Sequence, residues 1–233
     1  MKNILIILAV TLVAAADVCS QPQLACSTPM YDFGYTPQRA RLVHSFWFKS
    51  IGTDTVVIKE VKTGCACAVM PLEREQIAPG DSMKVSIHWD IEKHRGGINR
   101  IARIFTNGGP DPLRLHLKGV VLMYPDSIRP ISSTPYRFLF AKSERKDIDS
   151  LSFVFTNHSK FDLTVTLISD LPEQCVISIP DSIRANTQDT GWIKLKPEYA
   201  DTEFKTSITL LVSDKPKTHF TIPVERKFYL VKE

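Results

Sequence analysis

Glycine is scarce in this chain, at 10 of 233 residues against 15 prolines. No Gly-rich phosphate cradle is present: there is no Gly-Lys-Ser/Thr and no G-x-G-x-x-G after a strand. Helix-length amphipathic stretches are missing too, which excludes bundles and helical repeats. After Ala16 no run is long or apolar enough to span a bilayer as a helix, which takes ~20 residues. The histidines at 44, 88, 94, 116, 158 and 219 form no H-E-x-x-H, and no G-x-S-x-G offers a nucleophile elbow. Basic residues are not interleaved with aromatics as a single-strand nucleic-acid groove would need. With 43% hydrophobic and 23% charged residues the chain is nonetheless an ordinary folding sequence.

What is present begins with a leader. Met1-Lys2-Asn3 and the apolar Ile4 to Ala16 match the n- and h-regions of a secretory signal. Cleavage is offered after Ala16 or after Ser20; the expectation is a signal peptide over residues 1–20 and an exported product, in the periplasm or cell envelope. The residues before Cys19 and Cys26 fit a lipobox badly, so a lipid anchor is not expected.

Short alternating runs fill the remainder. Tyr31 and Phe33, Phe46 and Phe48, and then Met83, Val85, Ile87 and Trp89 each recur at i, i+2, as half-buried strands do. Trp47 faces away from Phe46 and Phe48, so it is expected outward as an interaction residue. Ala78-Pro79-Gly80-Asp81 and Asn107-Gly108 are turns. His44 and His116 fall in strands and are expected as surface imidazoles. The pattern then repeats at an offset of 107 residues: Phe46 and Phe48 map to Phe153 and Phe155, Leu115 to Ile222. The expected fold class is all-β, two tandem immunoglobulin-like β-sandwich domains after a signal peptide. The expected boundaries are 27–122 and 136–233, with a Pro-rich linker at 123–135.

One series of motifs carries a resemblance. Y-D-F-G, F-W-F-K-S-I-G-T-D-T-V-V-I, T-G-C-A-C-A, I-A-P-G-D, I-F-T-N and L-H-L-K-G resemble the bacterial domain-of-unknown-function family 1573 over about residues 31–121. Its members are immunoglobulin-like domains related to the ASPM/Hydin type, common in the envelope of Bacteroidetes. The family usually has Cys-Gly-Cys-Thr where this chain has Cys65-Ala66-Cys67-Ala68. The resemblance implies fold and location; it implies no activity.

The chemistry-bearing candidates are few. Cys65 and Cys67 could form a disulfide, a redox pair or part of a soft-metal site with His88 or His94. In an extended strand their Cα atoms would lie about 6.6–6.8 Å apart, at the upper edge for a bridge; a kink at Gly64 would shorten that. Cys26 could reach either, and Cys175 reads as a buried thiol. Lys93, Arg95, Arg100 and Arg103 crowd a Gly-Gly loop and could grip an anionic glycan. No cofactor and no catalysis are expected. The functional expectation is a non-enzymatic envelope or interaction module whose partners are envelope proteins or anionic glycans. Thiol redox or soft-metal handling and accessory glycan binding are the alternatives.

Overall fold

A computed structural model describes residues 21–124 and 128–229. The expected leader and Cys19 therefore lie outside the described residues. Strands β1 (Leu24–Cys26), β2 (Met30–Pro37), β3 (Arg41–Ser50), β4 (Val56–Lys62), β5 (Ala68–Val69), β6 (Gln76–Ile77), β7 (Ser82–Asp90), β8 (Gly96–Thr106) and β9 (Leu113–Leu122) build the first half. The second has β10 (Ile131–Thr134), β11 (Phe138–Ser143), β12 (Lys146–Asp147), β13 (Ser150–Asn157), β14 (Leu163–Leu167), β15 (Cys175–Ser178), β16 (Ser182–Ile183), β17 (Gln188–Leu195), β18 (Phe204–Val212) and β19 (Thr218–Phe228).

The alternation decides the packing. On β7 the residues Met83, Val85, Ile87 and Trp89 are all buried while Lys84 is exposed. On β3 Phe46 and Phe48 are fully buried beside them, and each such burial contributes about 1.5–3 kcal/mol. These side chains, with Phe33 and Leu117, form one core; Phe138, Phe140, Phe153, Phe155 and Ile222 belong to a second, separate one. Each core is sandwiched in the immunoglobulin-like manner: one face is a four-stranded sheet, β1-β3-β7-β5 or β10-β13-β17-β15. Apart from β12, the strands correspond one for one in the two halves, at or within a few residues of the 107-residue offset. The turn before β7 shows a one-residue slip. Gly80, at φ +82°, is answered by Asn186 at φ +55°, a residue type that tolerates this region.

Three expectations need correcting. First, the opposite faces are not two independent sheets: they join into one 11-stranded sheet, nine strands in the order β16-β14-β18-β19-β2-β9-β8-β4-β6, with β11 paired to β19 and β12 to β11. Second, Ile131–Thr134 lies inside the expected linker but is strand β10, paired with β13; Pro130 and Pro135 flank the strand and interrupt no ladder. Third, the first sandwich begins before residue 27, since Leu24–Cys26 pairs with Phe48–Ser50.

The sheet crosses from one half to the other where β2 and β19 run parallel, with Tyr35 opposite Phe220. Gly34 is a point of close backbone approach. Its φ is +63°, and a Cβ there would sit 1.9 Å from the His219 carbonyl oxygen. Around it, Thr221 Oγ1 donates to the Phe33 carbonyl (2.6 Å). His219 Nδ1 lies 2.8 Å from the Asp32 carbonyl, which can only accept, so that nitrogen carries the proton.

Candidate functional site

The Cys-Ala-Cys segment leaves the strand geometry that an alternating pattern would impose. Gly64 adopts φ +79°, a region cheap only for glycine. The Ala68 N–H then reaches the Cys65 carbonyl, and Thr63 Oγ1 lies 2.6 Å from the Ala68 carbonyl and 3.0 Å from that of Cys65. The turn brings the two Cα atoms to 5.2 Å, and Cys65 and Cys67 are joined as a disulfide. Both sulfurs are half-buried against the first core.

Cys26 does not join them. It lies on β1, opposite Phe48 of β3, while the disulfide loop leads into β5, at the opposite edge of the same four-stranded sheet. Three strand spacings, about 14 Å, separate those edges. Cys26 keeps a free thiol pushed up by burial. Cys175 is fully buried, its thiol pushed up to about 12 by desolvation. Neither histidine proposed beside the pair converges on it. His88 faces the cleft between the halves, and His94 packs edge-on to Trp89. Among the described residues no group of three His, Cys, Asp or Glu could hold a metal ion.

The four basic residues expected as one patch are dispersed, because β8 begins at Gly96 and its side chains alternate. Lys93 and Arg95 stay in the β7–β8 turn. Arg100 falls on the inner face with Ile98 and Ala102. Its guanidinium lies 6.0 Å from the Trp89 ring centre, with Nη2 3.4 Å from His94 Nε2. Arg103 points to the other face, in register with Lys62 on one side and Arg114 on the other. Trp47 is outward and 57% exposed, beside a shallow recess of about 340 Å³ that it shares with Cys26 and Ile51.

His44 is a further correction. It shares the inner face of β3 with Phe46 and is no surface imidazole. It stacks on Tyr31 with ring centres 3.5 Å apart, and burial lowers its pKa to about 4. It lines a cleft of about 470 Å³ where the second half leans over the outer face of the first sandwich. There Lys84 pairs with Asp170 (2.9 Å), and Ser207 Oγ accepts the Val43 N–H (2.9 Å). The Ser45 hydroxyl and Lys84 hold the Asp170 carboxyl below its usual range against desolvation, which raises it. Sequence reasoning missed this cleft entirely.

On another side of the joint lies a second cleft, of about 520 Å³. Its floor is an ion pair between Arg137 and the buried Glu225, and Arg137 Nη2 also donates to the Gln38 carbonyl (2.7 Å). Arg39, Lys205 and Lys227 stand around it with Tyr136 and Tyr229.

Residues 24–121 match the family model described as protein of unknown function (DUF1573). No curated protein matches the chain. Among solved structures, a protein of unknown function from Porphyromonas gingivalis W83 is similar at 7% identity, over 87% of this chain and 99% of that one, with a TM-score of 0.35. The PapD-like domain 7 of human CEP192 is 13% identical over 51% of this chain and 98% of its own, TM-score 0.37. The D00-D0 domain of intimin is 12% identical over 88% and 100%, TM-score 0.29.

Proposed function

We propose, for a chain whose residues 24–121 are a domain of the DUF1573 family, a non-enzymatic role as an exported structural and interaction module of the cell envelope. It consists of two tandem immunoglobulin-like units that act as one body. The observation that carries this reading is the joint. A shared sheet, the Gly34–His219 contact and the cross-half bonds of Thr221, His219, Ser207 and Lys84 hold the units in one orientation. Such a body presents surfaces at a fixed spacing; it does not open and close around a substrate.

The Cys65–Cys67 bridge fits an oxidising compartment and acts as a brace, since it closes a loop that Thr63 and Gly64 already shape. Trp47, outward on β3, is the contact residue of choice for a protein partner, and β1 beside it is a sheet edge open to strand addition.

The test is a photoreactive residue in place of Trp47, introduced into the full chain with its own leader in the native cell. Adducts with envelope proteins, from protein recovered outside the cytoplasm with Cys65 and Cys67 oxidised, are expected. A cytoplasmic protein with both thiols reduced, or no adduct from that position, would sink the reading.

A further inference from the structure

The second cleft, at the joint, carries more than the scaffold role asks of it. Four cations line it, Arg39, Arg137, Lys205 and Lys227, against two carboxylates, Glu92 and Glu225. One pair is internal: Arg137 and Glu225 neutralise each other in the floor, and the Gln38 carbonyl fixes the guanidinium in place. That leaves Arg39, Lys205 and Lys227 with Glu92 in the lining; Asp90, within electrostatic reach of Lys205, is already paired with Arg41. None of the three makes an ion pair among the described residues; Lys227 rests 5.1 Å from the Tyr229 ring centre.

Nothing in folding calls for these cations to gather. They come from three places, the β2–β3 turn, β18 and the end of β19, and the joint brings them together. Tyr136 and Tyr229 are each nearly half exposed beside them. Lys227 lies over one face of the Tyr229 ring; the exposed remainder of both rings can meet flat apolar surfaces, and their hydroxyls can hydrogen-bond. The volume lies within the ~300–1,000 Å³ of small-molecule sites.

We infer that this cleft binds a short stretch of acidic carbohydrate, with its carboxylates on Arg39, Lys205 and Lys227 and its sugar rings against Tyr136 and Tyr229. Cations alone would suit any anion. The two tyrosines favour a sugar chain over a free inorganic anion, which has no ring face to cover. A concave site with one rigid floor favours a few residues of glycan over an extended membrane surface. The inference goes beyond the scaffold reading and does not need it, since the cleft is tested on purified protein whatever the compartment.

The experiment is titration calorimetry on the full mature chain with tetragalacturonate. The controls are a neutral tetrasaccharide, inorganic sulfate and vesicles containing phosphatidylglycerol. Saturable binding of the uronate alone is expected, weakened by added salt. Lys205→Ala with Lys227→Ala should weaken it at least about tenfold, the worth of one charge-assisted hydrogen bond. Tyr229→Ala should weaken it without changing its salt dependence. Lys93→Ala with Arg95→Ala, in the turn between β7 and β8, should leave it unchanged. Equal binding of the neutral sugar, binding of sulfate or vesicles in place of the uronate, no binding at all, or loss only in the turn variant would each overturn the inference. All four lysine and arginine positions are exposed, so thermal melts of the variants should match wild type and separate lost binding from lost fold.

Discussion

Replacing Gly34 by alanine tests the joint at a tight backbone contact. Two costs add. The residue sits at φ +63°, where a side chain costs about 1–2 kcal/mol. The new Cβ would also stand 1.9 Å from the His219 carbonyl oxygen and 2.2 Å from its carbon, so β19 must retreat on the order of 1 Å. That retreat strains the bonds from Thr221 to the Phe33 carbonyl and from His219 to the Asp32 carbonyl, each worth about 1 kcal/mol. The expected loss is therefore about 3–4 kcal/mol. Gly80→Ala is the matched control. Its φ is +82°, but nothing lies within 4 Å of its Cβ position, so only the backbone cost of about 1–2 kcal/mol applies. Urea unfolding by circular dichroism, with calorimetry beside it, should show one transition for wild type and Gly80→Ala. Gly34→Ala should separate into two as the sandwiches uncouple. If Gly34→Ala costs no more than Gly80→Ala and keeps a single transition, the joint does not hold the halves together.

Four further outcomes can be measured on the same protein. Cys65→Ala with Cys67→Ala should cost only about 1.6 kcal/mol, the chain-entropy value for a three-residue loop, or about 3–6 °C in Tm; a loss of 4 kcal/mol would give the bridge a larger role than a brace. The His44 pKa, about 4 in the fold, lies below the ordinary 6.5, so its contribution is complete above about pH 6.5 and is lost as pH falls toward 4. Wild type should lose on the order of 2 kcal/mol over that interval, after discounting for partial exposure, and His44→Phe should flatten the slope in pH-dependent urea melts. Arg226→Ala should cost about 2–4 kcal/mol, because its buried guanidinium donates to the Ile148 and Ala200 carbonyls, which would lose their partner. Lys84→Ala breaks a pair that is about half exposed and should stay within about 1 kcal/mol.

The sandwich framework was legible because it is local. Alternation at Met83 to Trp89 and the Gly80 turn need only neighbours in sequence, and the repeat offset carried the same reading into the second half. Even the one-residue slip at Asn186 left a trace, in the displacement of Ile183 relative to Ile77. The joint left none. Gly34 reads as one more turn glycine, and the backbone it meets, His219, is 185 positions away with no periodicity to announce it. Two errors had signals that went unused. Arg100 and Arg103 differ by an odd number of residues, which on a strand puts them on opposite faces. His44 has the same parity as Phe46 and Phe48, so it had to turn inward with them. The separation of Cys26 from Cys65 and Cys67 was not legible, because sheet order, unlike register, is not written in a strand's own pattern.

The disulfide occurs in one repeat only, and the fold supplies a reason. The same turn closes both loops: the Ala68 N–H bonds to the Cys65 carbonyl, and 107 residues later the Cys175 N–H bonds to the Pro172 carbonyl. In the second half proline stands where Cys65 stands in the first, with φ set by its ring. The loop around it, from Asp170 to Gln174, lies against the outer face of the first sandwich, with Asp170 held by Lys84. That loop is ordered by what it touches. Its counterpart, Thr63 to Cys67, packs on the core of its own half, and its Gly64 and Ala66 are open to solvent. A loop without a neighbour must be stiffened from within, by chain entropy removed from the unfolded state. On this argument the cysteine pair substitutes for a packing partner: the repeat that leans on its neighbour needs no bridge, and the repeat that is leaned upon keeps one.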